Sequence, residues 1–160
     1  MAPSTRKNLE LATKIEHMRL NIAPIVHVET GIPPVEFPST MLQFFLLTED
    51  QLDAMAHYYE QSTPGPNTYD YPQTMDWNKP FLSRPKEDQK AEEGCGFSDF
   101  ERLRIKMRIF ARFIGMSGAE TPRWEYERQI EILKNRINKS IEAEERRVPM
   151  KCYQGPPTLH

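Results

Sequence analysis

A row of arginines in the second half of the chain is the group of side chains whose type and spacing most clearly suggest a binding chemistry. The segment 98–116, SDFERLRIKMRIFARFIGM, contains five cations: Arg102, Arg104, Lys106, Arg108 and Arg112. Arg104, Arg108 and Arg112 recur every four residues, so on a helix they form one stripe. Guanidinium groups in a row bind carboxylates or phosphates. The segment therefore predicts ion pairing, either with an external acidic partner or within the chain.

Internal pairing is the interpretation that we favour for this stripe, because the two halves of the chain carry opposite charge. Residues 1–95 contain 8 Lys/Arg and 14 Asp/Glu, a net charge of −6, whereas residues 96–160 contain 13 and 9, a net charge of +4. The predicted internal partners are Glu49, Asp50 and Asp53, or Glu125, Glu127 and Glu131. The external alternative is nucleic acid or another polyanion bound through Arg104, Arg108 and Arg112. A sequence pI of about 6.1 is low for that class.

A second group of candidate residues lies in the front half. Asp53 and His57 stand one helical turn apart, with Glu60 at the next turn, a spacing that suits a metal ligand pair or a base with its orienting acid. One helix supplies too few ligands, so we predict a solvated face and no metal site. The alternative is a small enzyme or a small-molecule binder. Its pocket would be lined by Asp53, His57, Tyr58, Tyr59, Tyr69 and Trp77.

The two cysteines point to no cofactor and no disulfide framework. Cys95 lies between Gly94 and Gly96, ahead of a helix start that favours a thiolate, but Glu93 beside it opposes one. Cys152 stands far away, and two cysteines do not make a zinc site. We therefore expect reduced thiols, no cofactor and no catalytic cysteine.

The N-terminal segment and the apolar runs bear on location. MAPSTRKNLELATKIEHM lacks the apolar centre of a signal peptide. The longest apolar run, 44–47, is far too short to span a bilayer. We therefore expect a soluble cytoplasmic or nuclear protein with no transmembrane segment.

The front half predicts two helical regions that are separated by prolines. Residues 7–20 form an amphipathic helix after a tail at 1–6. Four prolines interrupt residues 21–38, where 25–28 is predicted as a short edge strand. Residues 39–61 carry two capping-box spacings and therefore predict a short buried element followed by a longer helix. We favour a helical turn or two for the short element, MLQFFLL, with a strand as the alternative.

The middle of the chain is predicted to be a long loop with an ordered first part and a mobile second part. Prolines prevent a regular element, yet the interleaved Tyr69, Tyr71, Trp77 and Phe81 have apolar area to bury. We expect residues 63–82 to form an ordered irregular loop and residues 83–96 to be mobile. After the last helix, residues 149–160 are predicted as an irregular tail.

Two helices are predicted in the back half. The first begins at a Ser98–Glu101 capping box and ends at Gly115 or Gly118, and the second runs from Thr121–Pro122 to about Arg147. A short connection predicts an antiparallel hairpin. The fold class is therefore mainly α, one small domain over residues 7–148 with four or five helices. Its predicted core contains Leu52, Met55, Phe100, Leu103, Met107, Phe110, Ile130, Leu133 and Ile137.

Two segments of this core block carry a resemblance. FPSTMLQFFLLTEDQLDAMAHYYEQSTP and FARFIGMSGAETP resemble small uncharacterised proteins of filamentous fungi, over about half the chain. The resemblance implies a fungal source and no activity.

These observations favour a non-enzymatic protein–protein interaction module. It would act through the basic helix 98–116, the long helix 122–147, or both, on a protein partner or a second copy of the chain. The long helix carries a stripe that extends beyond what a small domain covers by itself: Tyr126, Ile130, Leu133, Ile137 and Ile141. Nucleic-acid binding and a small-molecule pocket remain the alternatives.

Overall fold

The computed structural model describes residues 3–86 and 93–148, and these residues are mainly helical. They form five α-helices: α1 (Pro3–Met18), α2 (Met41–Phe45), α3 (Glu49–Tyr58), α4 (Asp99–Phe113) and α5 (Arg123–Arg147). A single turn of 3-10 helix lies at Pro80–Leu82. This part of the chain contains no β-strand, only an isolated bridge between Asn21 and Thr40. The predicted fold class is confirmed. No described helix is long and apolar enough to cross a bilayer.

The helix boundaries follow the predicted capping signals. Ser98 accepts a hydrogen bond from the Glu101 N–H at 3.2 Å, and the Glu101 carboxylate accepts one from the Ser98 N–H at 2.9 Å. Thr48 and Gln51 form the same reciprocal pair at the start of α3. Gly115 has a φ of 82°, a left-handed conformation that glycine adopts without a steric penalty, and α4 ends just before it.

Other boundaries differ from the predictions. Helix α1 begins at Pro3, before the predicted start at Lys7. Residues 25–28 are irregular because the His27 N–H donates to the Ile32 carbonyl at 3.0 Å, which closes a turn instead of a strand. The predicted tail at 149–160, with Cys152, lies outside the described residues. So do residues 1–2 of the N-terminal tail and 87–92 of the predicted mobile loop.

The described residues divide into two compact units. The first contains residues 3–84 and 97–121, and the second contains residues 85–86, 93–96 and 122–148. Helices α1 to α4 thus belong to the first unit and α5 to the second. The predicted hairpin of the last two helices stays a prediction.

The core of the first unit is aromatic and forms where α3 and α4 meet the loop that follows α3. Leu52, Met55 and Phe110 are completely buried, as predicted. The rings of Tyr59 and Phe113 lie 5.0 Å apart between centroids, and Phe44 of α2 stacks on Phe110 at 6.3 Å. Such ring pairs add to the area term that drives burial.

The apolar face of α4 was predicted wrongly. Phe100 is 67% exposed, and Leu103 and Met107 are only half-buried. The helix instead buries Ile105 and Ile109, so its inward face is rotated by about 100° around the axis, the angle between successive residues. The physical reason is that acidic residues of α3 draw two cations of α4 inward, which a pattern of apolar residues does not show.

The predicted core residues of α5 are also wrong. Ile130, Leu133 and Ile137 are about half exposed, and the buried residues of this helix are Glu125 and Ile132. The polar residues beside Ile132 hold the segment 93–96, since Asn135 donates to the Gly94 carbonyl at 2.9 Å. The helix therefore presents to its own unit the face opposite the apolar stripe.

One side-chain amide holds the loop after α3 at two points. The Gln61 side chain donates to the Thr68 carbonyl at 2.8 Å and accepts from the Met75 N–H at 3.0 Å. Trp77 is buried, as expected for an ordered loop, whereas Tyr69 is 79% exposed. The prolines stiffen the chain between these fixed points.

Candidate functional site

The inward face of α4 carries an ion cluster that joins it to α3. Lys106 is 2% exposed, and its ammonium group lies 2.6 Å from Asp53 Oδ1 and 2.9 Å from Glu49 Oε1. Arg102 is 4% exposed and forms a bidentate pair with the carboxylate of Glu49. The inner ion cluster, as we call it, consists of Glu49, Asp53, Arg84, Arg102 and Lys106. Together with Asp50, which lies 2.6 Å from Arg84, it contains three negative and three positive groups, a balance that suits a structural role.

The cluster changes the acidity of its central carboxylate. Burial opposes ionisation of Glu49, but hydrogen bonds from Arg102 and Lys106 outweigh it and lower the pKa of Glu49 to about 2. The hydrogen bond to Glu49 likewise raises the pKa of the Arg102 guanidinium. Glu49 and Arg102 are therefore both charged in any physiological buffer.

This arrangement divides the five predicted binding cations into an inward pair and an outward stripe. Arg102 and Lys106 were predicted as part of a binding surface, but they are buried because Glu49 and Asp53 pair with them. Glu49, Asp50 and Asp53 were correctly predicted as internal acidic partners, and the cations that they pair with include Arg84, Arg102 and Lys106. The stripe itself, Arg104, Arg108 and Arg112, lies on the outward side of α4.

The residues of the predicted pocket do not converge. Asp53 and Trp77 do meet, since the indole N–H donates to Asp53 Oδ1 at 2.9 Å and the ring lies 5.5 Å from Lys106 Nζ. Both thus belong to the surroundings of the inner ion cluster. Tyr69 is exposed to solvent.

The other predicted pocket residues form hydrogen bonds with neighbouring segments of the chain. Tyr58 donates to the Ile32 carbonyl at 2.8 Å and Tyr59 to the Ile25 carbonyl, so both hydroxyls fix the segment before α2. Burial raises the pKa of Tyr59 above its ordinary value. The exposed His57 lies 3.4 Å from the Ser62 hydroxyl. These contacts hold segments of the chain together and do not converge on a pocket.

The remaining predicted site residues, Glu60 and Cys95, do not form a site with Asp53 and His57. Glu60 lies beyond the end of α3 with a φ of 54°, and its carboxylate accepts from the Asn67 N–H at 3.0 Å, so it does not share a helix face with Asp53 and His57. Cys95 is a half-buried free thiol. Residues 3–86 and 93–148 hold no group of three His, Cys, Asp or Glu that could bind a metal ion.

A groove on the outward side of α4 is the feature that sequence reasoning missed. It has a volume of about 410 Å³. We call it the outer groove; it is lined by Phe44, Phe45, Phe100, Arg104, Met107, Arg108, Ala111, Met116, Ser117, Gly118 and Ala119. Its volume lies within the roughly 300–1,000 Å³ of ordinary ligand pockets.

The outer groove combines apolar walls with positive charge. Phe45 and Phe100 present 50% and 67% of their surface to solvent, although large apolar side chains are usually covered. The Arg104 guanidinium lies 5.7 Å from the Phe100 ring centroid, at cation–π distance. Arg112 is one turn further along and donates to Gln73 Oε1 at 2.9 Å, outside the lining.

Only half of the outer groove could have been found from the sequence. Phe100, Met107 and Arg104 stand out on α4 by spacing, whereas the opposite wall comes from α2 and the turn at 116–119. Phe44 places α2 there by stacking on Phe110, a contact between residues 66 positions apart that no local pattern encodes.

Comparison with protein-family models, with curated proteins and with solved structures finds no match to this chain. The resemblance to fungal proteins therefore stays a prediction. Function has to be argued from the outer groove and from the exposed face of α5.

Proposed function

We propose that this chain is a non-enzymatic protein interaction module that binds an acidic, apolar segment of a partner protein in the outer groove. The observation that carries the proposal is the placement of exposed aromatic rings directly beside arginines on α4. Apolar anchors on the partner would fill the groove, and carboxylates beside them would reach the guanidinium groups. An amphipathic helix docked by its apolar face is the usual form of such a segment.

Charge complementarity favours an acidic partner over a neutral one. Arg104 and Arg108 both line the outer groove, and Arg112 continues the same stripe. Arginine pairs well with carboxylates because its planar group can bind both oxygens at once. Apolar contacts would supply most of the affinity, while the arginines would set partner choice and association rate.

Nucleic acid is the alternative that the same side chains suggest. A phosphate backbone would use all three arginines of the stripe to a similar extent and would not need the apolar lining. The apolar groove, together with the chain's formal charge of −2, favours a protein segment. We further propose a cytoplasmic or nuclear location, where a free thiol such as that of Cys95 is the ordinary state.

The test uses a labelled peptide of about 14 residues in which Leu and Phe recur at helical spacing with Glu between them. We expect saturable binding by fluorescence anisotropy. The double variant Arg104→Gln/Arg108→Gln should weaken binding by about tenfold, equivalent to about 1.4 kcal/mol, and flatten its dependence on salt. Phe100→Ser should weaken it to a similar degree without unfolding the protein, because this ring is largely exposed.

Arg112→Gln is the matched control for the single variants Arg104→Gln and Arg108→Gln, since it removes one such charge one turn outside the lining. It should change peptide affinity by less than about twofold. Equal losses from all three arginines, with tighter binding of a single-stranded oligonucleotide, would favour the nucleic-acid alternative. Wild-type peptide binding by both Phe100→Ser and the double arginine variant would refute the proposal.

A further inference from the structure

The outward face of α5 carries a continuous apolar stripe. Its five members are each about half exposed: Tyr126, Ile130, Leu133, Ile137 and Ile141. At 100° per residue they fall within an arc of about 80°, so they form one narrow ridge along the helix. We call this ridge the α5 stripe.

The α5 stripe is not the face by which α5 packs within its own unit. Ile132, which is fully buried, points roughly 140° away from the middle of the stripe. On that other side Arg136 donates to the Cys95 carbonyl at 2.7 Å, and Lys139 donates to the Glu93 carbonyl at 3.3 Å. The helix thus has one face that its own unit uses and an opposite apolar face.

The spacing of the stripe matches that of a coiled-coil seam. Its first four members follow each other at intervals of four, three and four residues. This places Ile130 and Ile137 at heptad position a, and Tyr126 and Leu133 at position d.

We propose that the α5 stripe pairs with the α5 stripe of a second copy of this chain, in the antiparallel orientation. In that orientation Tyr126 packs against Ile137 of the second copy, and Ile130 packs against Leu133 of the second copy. The twofold axis repeats both contacts, which gives four apolar layers. A self-complementary patch of this kind is what a symmetric dimer requires.

Charge complementarity selects the orientation. In this register Glu127 lies at position e beside Lys134 of the second copy, and the symmetry repeats the pair. In a parallel pair Lys134 would face Gln129, and Glu127 would have no cation opposite it. Glu127 and Lys134 are both exposed. Glu127 contacts Arg123 at 2.7 Å within the helix, an exposed pair of small energy that can rearrange.

The dimer is expected to be weak. Four layers span less than two heptads, whereas three to four heptads are typical of a stable coiled coil. The proposal does not depend on the outer groove, so peptide binding should be unaffected by changes on the α5 stripe.

The test is a charge exchange, followed by sedimentation equilibrium of the full chain between about 10 µM and 1 mM. Glu127→Lys and Lys134→Glu should each weaken self-association by at least about tenfold, because like charges then face each other. The double variant Glu127→Lys/Lys134→Glu should restore it. Mixing the two single variants should also restore it, as a heterodimer.

Two further variants serve as controls. Glu142→Lys, which changes charge off the stripe, should leave association within about twofold of wild type. Leu133→Glu should abolish association while keeping the wild-type melting temperature, since Leu133 is half exposed. A wild-type chain that stays monomeric at about 1 mM would overturn the proposal. A dimer that is indifferent to the charge exchange would equally overturn it.

Discussion

The inward and outward faces of α4 carry the same kinds of residue but use them in opposite ways. On the inward face Lys106 and Arg102 are almost fully buried, and on the outward face Phe100 is 67% exposed. The cations are covered because Glu49 and Asp53 of α3 face them at hydrogen-bond distance. The aromatic ring stays in solvent within a groove that nothing in the described chain fills.

The difference shows that burial on α4 is decided by the partner helix and not by hydropathy alone. A buried charge is costly unless it is paired and hydrogen-bonded, and the acidic start of α3 supplies that pairing. Once Lys106 and Arg102 turn inward, Phe100 and Met107 must turn outward, because they lie on another side of the same helix. The exposed apolar groove is therefore a geometric consequence of the inner ion cluster.

The largest expected effect comes from comparing two phenylalanines of α4. Phe110→Ala should lower the free energy of unfolding by about 3–5 kcal/mol, because Phe110 is completely buried and its removal leaves a cavity. Phe100→Ala should lower it by less than about 0.5 kcal/mol. Urea unfolding of both variants measures the contrast. Similar losses would mean that the two faces are not distinct.

Acid should lower the stability of the fold through the inward face of α4, where Glu49 pairs with its cations. The pKa of Glu49 is about 2 in the folded protein, below its ordinary value of 4.5. Its charged form therefore stabilises the fold above about pH 4.5, and this contribution is lost as the pH falls towards 2. The total loss should reach about 3 kcal/mol, as a shift of this size implies.

The control for the acid effect is Glu49→Gln, followed by urea unfolding across the same pH range. This variant should be less stable than wild type at pH 7, because it leaves Lys106 and Arg102 with fewer negative partners. Its stability should also depend less on pH below 4.5. A parallel acid dependence in both proteins would exclude Glu49 as the source.

The smallest effect is expected on the outward face. Replacing Arg104, Arg108 and Arg112 together by Gln should change the free energy of unfolding by about 1 kcal/mol or less, since surface ion pairs contribute little and Gln keeps helix propensity. Thermal unfolding measures this change. A loss of several kcal/mol would mean that the stripe pairs internally, as the sequence suggested.

The sequence predicted the helices well because their signals are local. The capping boxes at Thr48 and Ser98, the glycine at 115 and Pro122 each specify a boundary through the backbone of neighbouring residues. The internal partnership of Glu49 and Asp53 with cations of α4 was also predictable, from the charge division between the halves. Spacing did not single out Arg102 and Lys106 as members of that partnership, because spacing alone does not fix the rotation of a helix.

The faces of α4 and α5 could not be predicted, since both depend on contacts between distant residues. From its charge alone, Lys106 is predicted to lie on the surface. It is buried because the fold brings Asp53, 53 positions earlier in the chain, beside it. The pattern of α5 marks Ile132 only as an isolated apolar residue beside a longer stripe, yet Ile132 is fully buried. The outer groove is also lined by Phe45 of α2. The spacing of the sequence therefore predicts only the residues that α4 contributes to the groove.

The two compact units each contain one of the chain's two tryptophans, which provides a built-in pair of optical reporters. Trp77 belongs to the first unit and donates to Asp53, so its emission should respond when the inner ion cluster opens. Trp124 lies near the start of α5 in the second unit. With Trp124→Phe or Trp77→Phe, the remaining indole follows a single unit. Fluorescence can then distinguish units that melt in one cooperative step from units that melt in succession.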